Sequence, residues 1–271
     1  SVAWSLVMAL DLGGNWGNEF ARLVAARKLS TEQLWDLYPP YPGEKPASAV
    51  DLAKLYRDLG VYKNDAAVQT SFSLPVIGEP GFNEGRGSNN WVVAGSHTTT
   101  GKPLLANDPH LALSAPAIWY YAHLQTPDTD VIGASLPGLP FVVLGRNAHV
   151  AWGFTNTGPD VQDLYLEHID PNNPTRYKTP AGWQAFDTRT ETITVKGKPA
   201  VTHVVRSTRH GPVISDAQAS HAEVIDVSRF VLALRWSALD ADNRTLVGGL
   251  KAQQAKSVAD LLKAYGDNHS P

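Results

Sequence analysis

The sequence predicts a mixed α+β fold in which helices and an antiparallel sheet pack in layers. Three observations favour this class. Apolar residues recur at helical spacing over the first sixty positions, short strand-like segments run from residue 91 to residue 236, and helical spacing returns over 242–265. Helices grouped before and after a long run of strands are typical of α+β folds.

Three segments of the first sixty residues show helical periodicity most clearly. Residues 3–12 and 17–28 carry apolar side chains every three or four positions, and Gly13-Gly14-Asn15 separates them. The third segment is 47–59, with a predicted apolar stripe made of Val50, Leu52, Leu55 and Leu59. These segments predict a helical N-terminal part over residues 1–60.

Two serines are predicted to cap helices. Ser30 precedes Glu32-Gln33, which is the spacing of a capping box and predicts a short helix after residue 30. Ser257 is a predicted N-cap for a helix over 257–265, which follows another helix over 242–253.

Residues 61–87 have the composition of an exposed linker. Glycine and proline recur, and the segment ends in Gly85-Arg86-Gly87 directly before Ser88. Composition alone does not distinguish an ordinary linker from a segment that is removed by proteolysis. The chain is therefore divided into 1–60, 61–87 and a strand-rich part, 88–271.

The part after Ser88 is rich in short segments with β-branched and aromatic residues, as strands are. A hairpin is predicted around Lys196-Gly197-Lys198-Pro199. The predicted strands are 91–94, 104–106, 118–124, 130–134, 141–144, 149–154, 190–195, 201–208 and 229–236.

Composition bounds the function. With 43% hydrophobic residues and eight tryptophans among 271 residues, the chain can bury a substantial core. A net charge of −3 and the lack of a lysine and arginine run speak against nucleic acid or anionic membrane as a partner. The absence of cysteine excludes thiol catalysis and thiolate metal sites. No apolar run reaches the roughly 20 residues of a membrane span.

Familiar hydrolase and nucleotide motifs are missing. The segments around Ser135 and Ser88 lack the second glycine of a nucleophile elbow, which disfavours a Ser-His-Asp hydrolase. Neither an SxxK pair nor an HExxH motif occurs, and Gly13-Gly14 has no following lysine for phosphate binding.

Five short motifs in order resemble the penicillin acylase family of N-terminal-nucleophile hydrolases. They are Ser88-Asn89-Asn90-Trp91, Asn107-Asp108-Pro109-His110, Leu136-Pro137-Gly138, Gly145-Arg146-Asn147 and Trp152-Gly153. The resemblance implies an incomplete αββα layered sandwich preceded by a helical small-subunit segment. It further implies a fragment of a precursor that is processed into two subunits, with residues 61–87 as the spacer and a periplasmic or extracellular bacterial location.

By this resemblance Ser88 is the nucleophile. It would attack the Gly87 carbonyl, and cleavage of the Gly87-Ser88 bond would release an α-amine. Such an amine, with a pKa of about 7.7 to 8.0, can accept the hydroxyl proton near neutral pH, so no histidine base is required. The implied substrate is a small acyl amide. Without the resemblance, a glycine and serine pair is simply a common turn.

The resemblance assigns two further residues to the chemistry. His110 is expected in a tight turn that directs its ring inward, with its carbonyl anchoring the amine or substrate amide; a hydrogen-bonded turn histidine is the alternative. The backbone N–H of Asn156 corresponds to an oxyanion donor. The family's second donor, an asparagine, is expected beyond Pro271.

Asp160 and Asp163, with the Gln162 carbonyl between them, offer the hard oxygen ligands that calcium prefers. The loop matches the family's structural calcium loop, and Glu19 matches the small-subunit ligand. Acidic loops are also often ordinary solvated turns. No organic cofactor is predicted.

Leu111 and Leu144 match positions that line the family's acyl pocket, and they would leave it open to aliphatic acyl chains. Both are equally compatible with core positions. The acyl and amine specificity stays open at this stage. So does a non-enzymatic alternative, namely a calcium-stabilised β-rich binding module or an inactive fragment.

Overall fold

The computed structural model describes residues 14–38, 51–63, 87–111 and 117–268, and the single positions 6, 9, 12 and 115. The chain divides into two compact units. The first comprises residues 1–14, 78–161 and 237–271, and the second comprises 15–77 and 162–236. Most of the helix predicted over 3–12, the start of the one over 47–59 and most of the linker fall outside the described residues.

The helices within the described residues are α1 (Trp16–Ala25), α2 (Thr31–Leu37), α3 (Leu52–Leu59), α4 (His221–Val224), α5 (Thr245–Ala252) and α6 (Val258–Tyr265). The strands there are β1 (Gly87–Val93), β2 (Leu104–His110), β3 (Tyr120–Thr126), β4 (Thr129–Ser135), β5 (Leu144–Arg146), β6 (Ala151–Trp152), β7 (Gln162–Asp170), β8 (Asn173–Thr179), β9 (Gly182–Ala185), β10 (Asp187–Ile193), β11 (Val201–Thr208), β12 (Gly211–Pro212) and β13 (Phe230–Trp236). The mixed α+β class is confirmed.

Both predicted serine caps are confirmed. The Gln33 backbone N–H donates to Ser30 Oγ over 3.2 Å, and the Ser30 N–H donates to Gln33 Oε1 over 2.9 Å, which completes the capping box of α2. At α6, the Asp260 N–H donates to Ser257 Oγ over 3.1 Å. Each contact satisfies a backbone donor that the first helical turn leaves without a partner.

Helix α3 contacts its surroundings through a different face from the predicted apolar stripe. Leu55 and Leu59 are 39% and 44% exposed, whereas Ala53 is buried and Tyr56 packs against the core. Ala53 and Tyr56 are three positions apart and so share one face of the helix. The spacing of apolar residues in this segment therefore predicted the helix correctly, but it did not predict which face of the helix is buried.

The second unit is built on two antiparallel sheets. One has the strand order β13-β7-β8-β9, and the other has the order β10-β11-β12. Strand β13 is buried along nearly its whole length, and its sequence Phe230–Trp236 is apolar except for the half-buried Arg235. Helix α1 packs against this region, and the shared core contains Phe20, Leu23, Val24, Val61, Val224, Ile225, Phe230 and Leu232.

His221 lies within this core with 2% of its surface exposed. Its ring meets Trp16 edge-on at 5.9 Å and lies 4.2 Å from the Phe20 ring, measured between centroids. Burial among these rings lowers the pKa of His221 from its ordinary value of 6.5 to about 4. The folded state therefore holds this imidazole neutral at mildly acidic pH.

The free energy of unfolding is expected to decrease as the pH falls from 6.5 to about 4, because the unfolded chain binds a proton at His221 and the folded chain does not. The contribution present above pH 6.5 and lost over this window is about 3 kcal/mol. Urea titrations at several pH values measure it. His221→Phe is the control, since carboxylates also titrate in this range; equal pH dependence in both proteins would contradict the assignment.

The first unit contains the β1–β2 ribbon and a separate sheet with the order β3-β4-β5-β6. Helices α5 and α6 contribute to its core, which contains Val131, Val142, Val150, Trp152, Ala252, Ala255, Leu261 and Ala264. Strands β4 and β5 approach closely at Gly133 and Gly145, which face each other in the register. A Cβ at Gly133 would lie 2.0 Å from the Leu144 carbonyl oxygen, so only glycine fits there.

The structure confirms most of the predicted strands and corrects several bounds. The hairpin of β10 and β11 and strand β13 lie where the pattern placed them. The segment 141–144 forms a strand only from Leu144, and 149–154 only over 151–152. Strands β7, β8 and β9, over 162–185, were not predicted from the sequence.

The tight turn predicted at Asn107-Asp108-Pro109-His110 is wrong. These residues continue β2, and Pro109 pairs opposite Ser88 in a two-stranded ribbon. Proline lacks an N–H and is tolerated in a strand only where no ladder bond is needed, as at a sheet edge. Strand β1 likewise begins at Gly87 rather than at residue 91.

None of the helices in the described part of the chain is long and apolar enough to cross a membrane.

Candidate functional site

Ser88 is the second residue of β1, half-buried, and covalently follows Gly87 within the same strand. Its hydroxyl donates a hydrogen bond to the Gly87 carbonyl oxygen over 2.6 Å. A hydroxyl bound to the carbonyl of the preceding peptide bond both lies next to that carbonyl and polarises it. The two residues predicted at the cleavage point therefore share a direct contact.

His110 lies across the ribbon from this bond. It pairs with Gly87 in the antiparallel register, and a Cβ built on Gly87 would be 3.6 Å from His110 Nδ1. The other ring nitrogen, Nε2, is 2.8 Å from Asp108 Oδ2. The Asp108 carboxylate thereby holds the ring from one side and leaves Nδ1 on the Gly87 side. The ring is not directed inward as predicted, since 39% of its surface is exposed.

Asn156 lies in an exposed segment after β6. Its side-chain Nδ2 donates to the Leu12 carbonyl over 2.7 Å, and its Oδ1 accepts from the Gly158 N–H over 2.9 Å. The side chain thus binds the backbone of its own loop at Gly158 and that of a distant segment at Leu12. This leaves the backbone N–H as the group through which Asn156 would contact a reacting carbonyl.

Asn107, for which the sequence predicted no role of its own, connects two segments near the candidate site. Its Nδ2 donates to the Asn89 carbonyl over 3.1 Å and to the Phe154 carbonyl over 3.0 Å. Its Oδ1 accepts from the Phe154 N–H over 3.0 Å. The side chain therefore connects the strand of Ser88 to the segment that leads to Asn156. The sequence offers no clear signal for this role, because Asn107 is followed by two further polar residues of the same strand, Asp108 and His110.

The two leucines predicted to line an acyl pocket lie in different parts of the first unit. Leu111 directly follows β2, and Leu144 begins β5 in the other sheet. Both are half-buried. The two leucines therefore do not share a strand or a sheet.

The predicted metal ligands Glu19, Gln162 and Asp163 belong to the second unit, and Asp160 to the first. Glu19 and Asp163 each offer a carboxylate oxygen, and these oxygens lie within 4.8 Å of each other. Glu19 Oε2 also accepts from the Leu164 N–H over 2.6 Å, which fixes the carboxylate of α1 against β7. Two hard oxygen donors at this separation could hold a cation such as calcium.

Gln162 contributes differently from these two acids. Its carbonyl oxygen accepts from Asn15 Nδ2 over 2.9 Å and keeps a second lone pair. Its side chain is buried, whereas that of the adjacent Asp163 is exposed, because neighbouring residues of a strand face opposite sides. Among its oxygens, the backbone carbonyl is therefore the one suited to a cation held by Asp163.

A cavity of about 180 Å³ lies in the second unit. It is lined by residues of α1, α3, β7 and β13, and Glu19 is the predicted site residue among them. Its apolar walls include Leu23, Leu52, Leu164, Leu166 and Leu232.

The comparisons with known proteins agree on the family. A sequence model described as penicillin amidase matches residues 1–271. The chain is 34% identical to the acyl-homoserine lactone acylase QuiP of Pseudomonas aeruginosa over 96% of this chain and 31% of that protein. It is 38% identical to the penicillin acylase 2 proenzyme of Pseudomonas sp. strain SE83, over 48% of this chain and 17% of the relative.

A solved structure supports the fold. The thermostable penicillin G acylase from Alcaligenes faecalis superposes with a TM-score of 0.57 at 24% identity, over 66% of this chain and 31% of that chain. The chain spans about a third of the length of its first curated relatives or less. Because the family match covers every residue, this chain belongs to the penicillin amidase family.

Proposed function

We propose that the protein containing this chain is an acylase that cleaves an acyl-amide bond with Ser88 as an N-terminal nucleophile. Family membership makes an amidohydrolase the expected class. The observation that carries the proposal is the contact between Ser88 Oγ and the Gly87 carbonyl, with His110 paired opposite. A serine positioned on the carbonyl of its own preceding bond suits a self-cleaving precursor.

The proposed chemistry has two stages. First, Ser88 Oγ adds to the Gly87 carbonyl carbon, the Ser88 nitrogen leaves with a proton, and water hydrolyses the resulting ester. The new α-amine then accepts the Ser88 hydroxyl proton as Oγ attacks a substrate amide. The amine product leaves, and water releases the acid from the second ester.

In this account His110 aligns Ser88 and the bond beside it, and the Asn156 N–H stabilises the oxyanion. Leu111 and Leu144 are the proposed acyl-chain contacts. Residues 1–60 would belong to the small subunit, 61–87 to the spacer and 88–271 to the large subunit, with the two subunits held together non-covalently. The family resemblance is the support for these roles and for a periplasmic or extracellular bacterial location.

A hydrolysis screen on the full-length protein tests this function. Phenylacetyl amides and long-chain N-acyl homoserine lactones are the probes, because the relatives' names include a penicillin acylase and acyl-homoserine lactone acylases. Leu111 and Leu144, as the proposed acyl-chain contacts, predict turnover of the aliphatic acyl chains. Absence of acid release from every probe amide would contradict the proposal.

We further propose that Glu19, the Gln162 carbonyl and Asp163 of the second unit hold a structural calcium ion. Calcium added after chelation is expected to raise the melting temperature, because an ion that binds only the folded state at 100 times its Kd stabilises it by about 2.7 kcal/mol. Asp163→Asn should abolish the increase. Asp187→Asn, an exposed acid on β10, should retain it, and an unchanged wild-type melting temperature would contradict the site.

A further inference from the structure

Asn107 makes an unusual set of contacts for a strand residue. Its amide presents one donor and one acceptor to the Phe154 backbone, over 3.0 Å each, as a neighbouring peptide group in a sheet would. The same Nδ2 reaches the Asn89 carbonyl over 3.1 Å. One side chain thus substitutes for a rung of strand pairing between β1 and the segment after β6.

Gly153 leaves the space that this side chain occupies. A Cβ at Gly153 would lie 2.7 Å from Asn107 Oδ1 and 2.8 Å from Asn107 Cγ, which real Cβ atoms do not tolerate. The Phe154 ring is held separately, edge-on to Tyr265 at 5.2 Å. The segment is therefore fixed by the amide on one side and by a ring contact on the other.

The Asn107 amide binds one residue next to the proposed nucleophile and one residue near the proposed oxyanion donor. Asn89 follows the nucleophile Ser88 by one residue, and Phe154 precedes the proposed oxyanion donor Asn156 by two. Asn156 is anchored in turn by Leu12 and Gly158. The distance between the Ser88 hydroxyl and the Asn156 N–H consequently depends on the bridge that Asn107 makes.

We propose that Asn107 is a positioning residue that sets the nucleophile and the oxyanion donor at their working separation. This inference rests on the proposed function. Asn107 touches neither the substrate nor the reacting atoms, and its effect is transmitted through the two backbone segments. A displacement of about 1 Å at a reacting centre costs on the order of a hundredfold in rate.

The test compares Asn107→Ala, Gly153→Ala and the double variant in the full-length protein, with phenylacetyl 4-nitroanilide and a dodecanoyl homoserine lactone as probes. Each single change should lower kcat about a hundredfold while KM changes less than about threefold, because the loss is felt in the transition state. The double variant should be no slower than Gly153→Ala alone, since the alanine at 107 relieves the clash and the same bridge is already lost.

Asn147→Ala is the matched control. Asn147 makes four hydrogen bonds through its amide in the first unit, to Gln253, Ala255, His149 and Val150. None of these bonds reaches β1 or Phe154. It should lower the melting temperature and leave kcat per folded molecule unchanged. Melting temperatures of all variants identify losses that come from unfolding alone.

Three results would overturn the inference. Folded Asn107→Ala with wild-type kcat would show that the bridge does not position the site, and so would multiplicative losses in the double variant. A wild-type protein that neither cleaves itself nor hydrolyses the probes would remove the proposed function and the inference together. An active wild type with an indifferent Asn107→Ala would remove the inference only.

Discussion

Replacing Ser88 with alanine is expected to reduce hydrolysis of the probe amides by at least about 10⁴-fold in the full-length protein. The alanine has no oxygen to form either ester, and a nucleophile contributes on this scale in enzymes that use covalent intermediates. The bridge of Asn107 and the His110 pair should survive, because neither contacts the Ser88 hydroxyl. Acid release followed by chromatography measures the loss.

Ser96→Ala is the matched control for this change. Ser96 is an exposed serine in the turn after β1 and should retain full activity. Ser88→Cys is informative as well, because a thiol can still form an ester equivalent and should retain some cleavage. Normal hydrolysis by the alanine variant would show that another group is the nucleophile.

Replacing Asn156 with proline is expected to cause the second large loss of activity. Proline removes the backbone N–H at this position, and the loss of one oxyanion donor typically costs about 10² to 10³ in kcat. Asn156→Ala keeps the N–H and loses only the side-chain bonds to Leu12 and Gly158. Steady-state kinetics of the two variants separate the backbone group from the side chain.

A proline variant that loses kcat while the alanine variant stays within about tenfold of wild type would support the assignment. Equal losses in both would indicate that loop geometry, rather than the donated hydrogen bond, matters at residue 156. Melting temperatures are needed beside the rates, since the exposed segment is part of the first unit's packing.

Helix caps and the hairpin could be predicted from the sequence, because hydrogen bonds and turns between residues close in the chain determine them. Ser30 with Gln33, and Ser257, define helix starts through hydrogen bonds within one turn. The hairpin of β10 and β11 follows from alternation on both sides of a turn that contains Gly197, whose φ of +73° favours glycine. Such elements are encoded by residues a few positions apart.

Elements that depend on distant partners were harder to predict. The sequence Asn107-Asp108-Pro109-His110 has the composition of a turn, but pairing with β1 extends it as a strand. Strands β7 to β9 contain acids, prolines and glycines that reduce strand propensity, and β7 forms beside the buried strand β13. Pairing across some seventy residues is invisible to a local pattern.

The candidate site shows the same division. Motif order identified Ser88 and His110, which the structure brings together on one ribbon. The Asn107 bridge was missed, because it depends on a contact with Phe154 forty-seven positions away. The Leu164 N–H bond that holds Glu19 spans 145 positions and was equally beyond local reasoning.

The mass of each polypeptide in the purified full-length protein tests the central claim most directly. Denaturing mass spectrometry should find two chains, with the heavier one beginning at Ser88, and a single unbroken chain for Ser88→Ala. Cleavage of the alanine variant at the same bond, or a wild-type chain that stays intact through Gly87 and Ser88, would contradict an amine-activated serine.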